Sequence, residues 1–552
     1  VTKKDYNALF LGTDAAGSGK FGKNGGGSIG FKGENYKIDA LVSGYQTDGQ
    51  NLNVGKNGNF YSWVWPGNQN PGYGPGQLPN GNSGLSAMLD VDFYGYKAWI
   101  YQYNINSAQG AFGLWVPNFP LPQGGNNYTV QNAKTHVGVQ KSFTLIDGLK
   151  VTPQVWYLQT QNSANNFYYL SSAQTVSGVD GLTSRNYKEG RKTAQLDGEY
   201  KLNSHLLNAG LFYQMINNID DTKYSNAWNS SATLNYSGTF WPNQKMALFN
   251  RAAYAQDQWS ITDSATVTYG LRYDVFAPQA MSKYQAVSPR VAGVWAINEN
   301  NIIKAQYSKA FRPPTMSDLS DTPNLQPETV DTFELGYIYK NGVHSVKPTI
   351  FESRIYNMIS YNGYTGSAEN RNFCSKIDGF ELEYKYSHEI FILNLNGAAY
   401  STNTPAHNMN GGSGLVWQFP SQKFNLSPSY MGNLWVTLQP KSDYPTTIWM
   451  HYIGSQMQTN YATSYSGNNG ASFKPVSLAN GNIPAQNYVN LTQQFKGLVD
   501  NLDISLGVRD VLNTTVQSLR MPLSYFNESN GHNSEGVPYM GRSFWLNALY
   551  KF

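Results

Sequence analysis

Reaction chemistry needs nucleophiles, ionisable pairs or metal ligands at working spacing, and this sequence offers few of them. Its seven histidines, His136, His205, His344, His388, His407, His451 and His532, never pair at metal-ligand spacing. The single cysteine, Cys374, excludes intramolecular disulfides and any all-cysteine metal site. Its position suits a small residue near the start of a strand. Gly17-Ser18-Gly19-Lys20 has the look of a phosphate loop. It fails on spacing, because no Gly lies five positions before Gly19, and Phe21 stands where a magnesium-holding Ser or Thr is needed. Chain order supports no Ser-His-Asp set and no carboxylate pair. An enzyme is therefore not expected, nor is a metal or a cofactor.

Contact chemistry is more plentiful. The stretch 47–83 holds Phe60-Tyr61-Ser62-Trp63-Val64-Trp65-Pro66 and Tyr73 among Gly, Asn and Pro. The stretch 107–129 holds Phe112-Gly113-Leu114-Trp115-Val116-Pro117-Asn118-Phe119-Pro120. Aromatic rings on Gly/Pro-rich segments offer stacking surfaces to a flat or apolar ligand, which makes Trp63, Trp65, Tyr73, Trp115 and Phe119 candidate contacts. The alternative is that they pack on one another or form an aromatic girdle. Arg312 offers a bidentate donor to a carboxylate-rich chelate, or else positions its own loop.

The elements that must carry these residues read as strands. Hydrophobic residues are 40% of the 552 and aromatics 14%, with 40 Tyr, 13 Trp and 53 Gly. Mean hydropathy is −0.47, and no apolar run reaches the roughly 18 residues of a membrane helix. Alternating segments number about 22, which suits a large transmembrane barrel in which only every second residue meets lipid. In 502–509, Leu502, Ile504, Leu506 and Val508 alternate with Asp503, Ser505 and Arg509. In 266–275, Val267, Tyr269, Leu271, Tyr273 and Val275 alternate with Thr266, Thr268, Arg272 and Asp274. In 379–386, Phe380, Leu382, Tyr384 and Tyr386 alternate with Glu381, Glu383 and Lys385. A lipid-facing Arg or Lys at mid-depth costs about 2–4 kcal/mol, so the charged side is the lumen. Arg272, Arg290, Glu334, Glu381 and Arg509 are then candidate lumen charges, gripping a plug or simply solvating a polar channel.

Connection lengths also alternate. Short turns such as Asp147–Leu149, Asn298–Asn300 and Lys340–Gly342 are separated by long loops at 47–83, 107–129, 162–183, 218–245, 312–327, 360–371, 403–422, 458–485 and 514–540. Bacterial outer-membrane barrels put short turns on the periplasmic side and long loops outside, which places both termini in the periplasm. No constant repeat period supports a propeller or β-helix. The net charge of +4 gives no argument for nucleic acid. The sequence opens at Val1 without a secretory signal, as expected of a processed or trimmed product.

One stretch, 286–337, adds specific boxes. Ser288-Pro289-Arg290, Phe311-Arg312-Pro313-Pro314, Asn324-Leu325-Gln326-Pro327-Glu328 and Glu334-Leu335-Gly336-Tyr337 follow in order. This order resembles the TonB-dependent receptors of Gram-negative outer membranes. Ala252-Ala253-Tyr254-Ala255-Gln256-Asp257-Gln258-Trp259, Gly379-Phe380-Glu381-Leu382-Glu383 and Gly507-Val508-Arg509-Asp510-Val511-Leu512-Asn513 are similar to further strands of that family. The terminal Phe552, on a face shared with Phe544, Leu546, Ala548 and Tyr550, resembles the signal read by the outer-membrane assembly machinery.

The resemblance implies a barrel over 5–552, with Val1-Thr2-Lys3-Lys4 as the end of a plug domain otherwise outside this sequence. It implies active uptake of a scarce nutrient, foremost a ferric siderophore or other metal chelate. The implied partners are TonB with its inner-membrane energising complex, acting through the plug, the surrounding outer-membrane lipid and lipopolysaccharide, and a small-molecule chelate. Haem receptors of the family carry a histidine between the Phe-Arg and Asn-Leu boxes. Residues 315–322 contain none, which disfavours haem. Two other readings stand beside this one: a plugless passive pore or structural component of an outer-membrane assembly, and an adhesin using the aromatic loops.

Overall fold

The computed structural model describes residues 7–16, 20–49, 52–54, 76–78, 81–108, 129–169, 181–225, 236–239, 247–279, 281–362, 367–412, 415–419, 427–458, 464–466, 472–473, 481–514 and 541–552. The barrel strands are numbered here in chain order. The first seven are β1 Ala8–Ala16, β2 Phe21–Lys32, β3 Tyr36–Thr47, β4 Asn82–Phe93, β5 Tyr96–Ala108, β6 Thr129–Lys141 (continued by Phe143–Ile146) and β7 Leu149–Tyr169. Next come β8 Gly181–Leu202, β9 His205–Ser225, β10 Ala247–Thr262, β11 Ala265–Pro278, β12 Tyr284–Asn298, β13 Asn301–Arg312 and β14 Glu328–Lys340. The last eight are β15 His344–Tyr356, β16 Ser375–Ser387, β17 Phe391–Asn403, β18 Tyr430–Leu438, β19 Thr446–Ile453, β20 Gln486–Val499, β21 Leu502–Arg509 and β22 Ser543–Lys551.

Each strand pairs antiparallel with its neighbours in sequence, and β1 pairs with β22, with Leu9 opposite Tyr550 and Leu11 opposite Ala548. The result is a closed barrel of 22 antiparallel strands. Closure leaves no unpaired edge, which any strand crossing hydrocarbon requires. The expected segments all appear. The longest strands, β7, β8 and β9, reach 21, 22 and 21 residues, so they run into the stretches 162–183 and 218–245 that were expected as loops. The backbone ladder continues there through residues that do not alternate between apolar and polar, such as Asn165-Asn166 followed by Phe167-Tyr168-Tyr169.

The tight turns follow their residue types. Between β4 and β5, Tyr94 (φ 49°) and Gly95 (φ 77°) both lie in the left-handed region, as a two-residue hairpin loop demands. The Asp92 carboxylate accepts the Gly95 N–H at 3.1 Å.

Several of the expected loops hold structure of their own, among them 47–83, where Leu52–Val54 pairs with Gly76–Leu78, and 360–371, where Ser367–Asn370 pairs with Ile359–Asn362. The loop after β13 contains a short helix, α1, Met316–Asp321, started by a capping box between Thr315 and Asp318. Strands at His407–Gly412, Leu415–Phe419, Ser464–Ser466 and Ser472–Phe473 form a small sheet that ties together the loops before β18 and before β20. Long-range pairing between two loops leaves no local signature in either one.

Candidate functional site: the lumen wall and loop-end rim

Residues directly opposite each other in a ladder share a face, so one outward residue fixes the face of all its partners. On β22, Phe544, Leu546 and Tyr550 are exposed large hydrophobics and define the outward face. Through β21 and β1 this parity puts Leu502, Ile504, Leu506, Leu9 and Leu11 outward, and Asp503, Arg509 and Asp14 inward. Carried around the closed wall, the inward set is polar and extensively hydrogen-bonded.

Inward-facing networks span several strands. Asp197 on β8 accepts from Gln154 Nε2 on β7 (2.8 Å), Gln195 Nε2 (2.7 Å) and Tyr254 OH on β10 (2.5 Å). Arg272 grips Asp274 through two hydrogen bonds of 2.8 Å each, and Asn250 donates to the same carboxylate at 3.1 Å. Asp274 is only 1% exposed, and the Arg272 guanidinium also stands over the Phe212 ring at 5.2 Å. Across the barrel, Asn433 Oδ1 meets His451 Nδ1 at 2.6 Å and accepts from Trp449 Nε1 at 3.3 Å, while its amide donates to Asn396 at 2.9 Å. A fourth group joins Trp99, Tyr101, Asp90 and His136, with Tyr101 donating to Asp90 at 2.7 Å. The groups around Asp197, Asn433 and Tyr101 carry no motif in the sequence. Their signal was a polar or aromatic residue at every second position, which is weaker than a motif.

The named lumen charges divide by what they touch. Arg272 is committed to Asp274, and Glu334 accepts from Gln306 Nε2 at 2.5 Å. Arg509 lies over the Trp545 ring at 5.9 Å. Arg290 stands opposite Gly270 and Ser308, and Glu381 opposite Thr349 and Ala398, all on the inward face. Both are exposed, and neither has an ion-pair partner among the described residues. Of the five named charges, these two are the ones left available to something inside the barrel.

Arg312 ends β13 and pairs with Glu328 at the start of β14 (3.1 Å), and also donates to the Ile359 carbonyl (3.4 Å). Glu328 in turn accepts the Ile359 N–H at 3.1 Å. This side chain therefore pins two loops together while remaining 49% exposed. Beneath it lies an apolar cluster of Leu248, Phe276, Tyr284, Leu319, Leu325 and Ala368. Leu319 from α1 is 0% exposed, so the loop between the Phe-Arg and Asn-Leu boxes is docked on the wall. Trp63, Trp65, Tyr73, Trp115 and Phe119 lie outside the described residues. Among the described residues, no group of three or more His, Cys, Asp or Glu side chains could hold a metal ion.

Comparison with known proteins agrees with this geometry. A family model described as "TonB dependent receptor-like, beta-barrel" matches residues 32–511. The FrpB iron transporter of Neisseria meningitidis superposes with TM-score 0.67 at 14% identity, over 100% of this chain and 82% of that one. The siderophore receptor PirA of Acinetobacter baumannii gives TM-score 0.69 at 14% identity, covering 100% and 81%. Among curated sequences, the vitamin B12 transporter BtuB of Vibrio vulnificus is 24% identical over 221 residues, 36% of this chain and 35% of that protein. The matched stretch thus spans about a third of that curated relative. These neighbours are receptors and transporters, not enzymes. The chain belongs to the TonB-dependent receptor family, as its β-barrel domain.

Proposed function

We propose that this barrel belongs to an outer-membrane receptor that captures a scarce nutrient at its loop end and imports it actively, powered by TonB through a plug domain. The carrying observation is a closed wall with a largely apolar exterior and a hydrogen-bonded polar interior, on which inward charges such as Arg290 and Glu381 have no ion-pair partner among the described residues. Such charges suit a plug seated in the lumen, and Arg272, Glu334 and Arg509 stiffen the wall around it. Residues 1–4, outside the described residues, would then lead from plug to barrel. The short turns would face the periplasm, as would both termini, and the long loops would face the medium.

The substrate class we infer is a ferric siderophore or another metal chelate. In support, the names of neighbouring proteins include iron, ferric citrate, copper and siderophore transport. The aromatic loop residues Trp63, Trp65, Tyr73, Trp115 and Phe119 would form the stacking surface, with Arg312 holding the rim in place. A test is uptake of ⁵⁵Fe supplied as a panel of chelates, by cells carrying the full natural gene with and without TonB. Accumulation of one chelate that vanishes without TonB supports the reading. Uptake indifferent to TonB, together with a large steady single-channel current, favours the plugless pore.

A further inference from the structure

The lumen wall is not evenly charged. Glu381 and Glu383 on β16 face inward, as do Asp503 and Arg509 on β21, yet the four strands between them are nearly free of charge. β17, β18 and β19 contain no Asp, Glu, Lys or Arg, and β20 contains only Lys496, near its turn. Parity fixes which of their side chains line the lumen: Ala398 stands opposite the inward Glu381, and Leu395 and Met450 are exposed on the outer side. One inward row is Asn394–Trp435–Trp449–Asn490. The next row toward the loops is Asn396–Asn433–His451–Tyr488. At about 4.8 Å between strands, this neutral face is roughly 14 Å wide. No other run of four neighbouring strands is free of inward charge among the described residues.

The face holds itself together. Trp435 and Trp449 stack with ring centroids 6.1 Å apart, Trp449 lies 6.0 Å from the His451 ring, and His451 lies 6.2 Å from Tyr488. Asn433 ties this run to Asn396, and Thr437 and Thr447 share a hydrogen bond of 2.9 Å on the turn side. A body seated in the lumen can leave such a face without stranding an ion, whereas parting from a charged strand leaves a charge without its partner. A second observation lies above. The small sheet of Leu415–Phe419 and Ser464–Ser466 joins the β17–β18 connection to the β19–β20 connection. The two loops that rise from these four strands are thereby bound into one.

We propose that β17–β20 form the passage side of the barrel: a metal chelate captured beneath the joined loops travels to the periplasm along this face, while the charged strands elsewhere hold the plug. This rests on the uptake function proposed above and adds the route. Metal chelates carry charge and many oxygen acceptors. Fixed ions on the wall would trap or repel them, and passage needs contacts favourable enough to admit the cargo yet weak enough to release it. Asn amides both donate and accept, and ring faces add apolar contact, so the face offers many weak contacts and no strong one.

The test puts a charge on the face. Thr447 and Thr492 stand opposite each other and line the lumen, while Thr268 on β11 lies in an inward row that includes Glu334. In cells carrying the full natural gene, ⁵⁵Fe uptake is measured from ferric citrate and the other chelates of the uptake panel, and binding is measured on de-energised cells. Thr447→Asp, Thr447→Lys and Thr492→Asp should each lower the initial uptake rate at least about fivefold and leave binding unchanged, with Thr268→Asp and Thr268→Lys within about twofold of the wild type. Resistance of the unheated barrel to SDS checks folding, and if the Thr447 variants fail that check, Thr492→Asp carries the comparison. Equal effects at Thr268 and at the β19–β20 positions, or a loss of binding that matches the loss of uptake, overturns the assignment. A wild type that takes up none of the chelates overturns the function and the route together, whereas normal wild-type uptake with equal variants overturns the route alone.

Discussion

His205 Nδ1 on β9 lies 2.7 Å from Asp257 Oδ2 on β10, and the Tyr269 hydroxyl on β11 donates to the same oxygen at 2.8 Å. By ladder parity this group faces outward, since Asp257 stands opposite Leu207 and Tyr269. The imidazole stacks on Trp259 with ring centroids 5.5 Å apart, and Asp257 is left only 7% exposed. A carboxylate on the lipid-facing wall is tolerable because two donors and an aromatic lid enclose it.

Removing either donor should therefore lower barrel stability, and removing the acceptor should lower it more. We expect the order Asp257→Ala, then His205→Ala, then Tyr269→Phe in loss of thermal stability. The temperature at which the SDS-resistant band disappears would check it. An unchanged midpoint for Asp257→Ala contradicts the enclosed-pair description.

Asp274 and Arg290 should behave in opposite ways. Asp274→Ala leaves the buried Asn250 and the part-exposed Arg272 without their acceptor and should cost about 1–3 kcal/mol, as losing the partner of a buried polar group does. Arg290→Ala should change stability by less than about 0.5 kcal/mol, in keeping with an uncommitted side chain. In the full protein, Arg290→Ala and Glu381→Ala should instead raise resting conductance in planar bilayers, by loosening the plug.

The α1 segment supplies a third test. Leu319→Ala empties a fully buried position and should cost about 2–5 kcal/mol locally. Limited proteolysis should then nick the chain between Arg312 and Pro327, where the wild type resists. Arg312→Ala should show the same sensitivity if the side chain mainly pins the loops.

Ligand contact is a separate matter. If Trp63, Trp65, Tyr73, Trp115 and Phe119 form the proposed stacking surface, removing each should weaken chelate binding by about 0.5–1.5 kcal/mol, roughly two- to tenfold in Kd. Trp63→Ala, Trp65→Ala, Tyr73→Ala, Trp115→Ala and Phe119→Ala can be compared by calorimetry with the chelate chosen by the uptake panel. If all five leave Kd unchanged, the rings pack on themselves.

The wall was readable because its period of two is written in every strand. Val267, Tyr269 and Leu271 against Thr268, Arg272 and Asp274 state both faces without help. Asp257 broke that reading, for it lies on the apolar parity of its strand, and only the partners on β9 and β11 make the position tolerable. The uncharged inner face of β17–β20 was hidden for a related reason. Each strand shows only a few neutral polar or aromatic residues on one side, and the face exists only once the register aligns four strands. Helix α1 was obscured by length, since six residues carry no helical period. Pairing partners, docking surfaces and loop-to-loop sheets are tertiary facts.

Transport through this wall requires each residue to keep its side, hydrocarbon or water, and a cysteine scan of β21 reads this directly. With Cys374 replaced by Ser, single cysteines at 502–509 are labelled with a fluorophore in liposomes and exposed to lipid-soluble and water-soluble quenchers. The lipid-soluble quencher should act at 502, 504, 506 and 508, and the water-soluble one at 503, 505, 507 and 509. Equal quenching at neighbouring positions, or a reversal of the two sets, would contradict a barrel with hydrocarbon outside and water within.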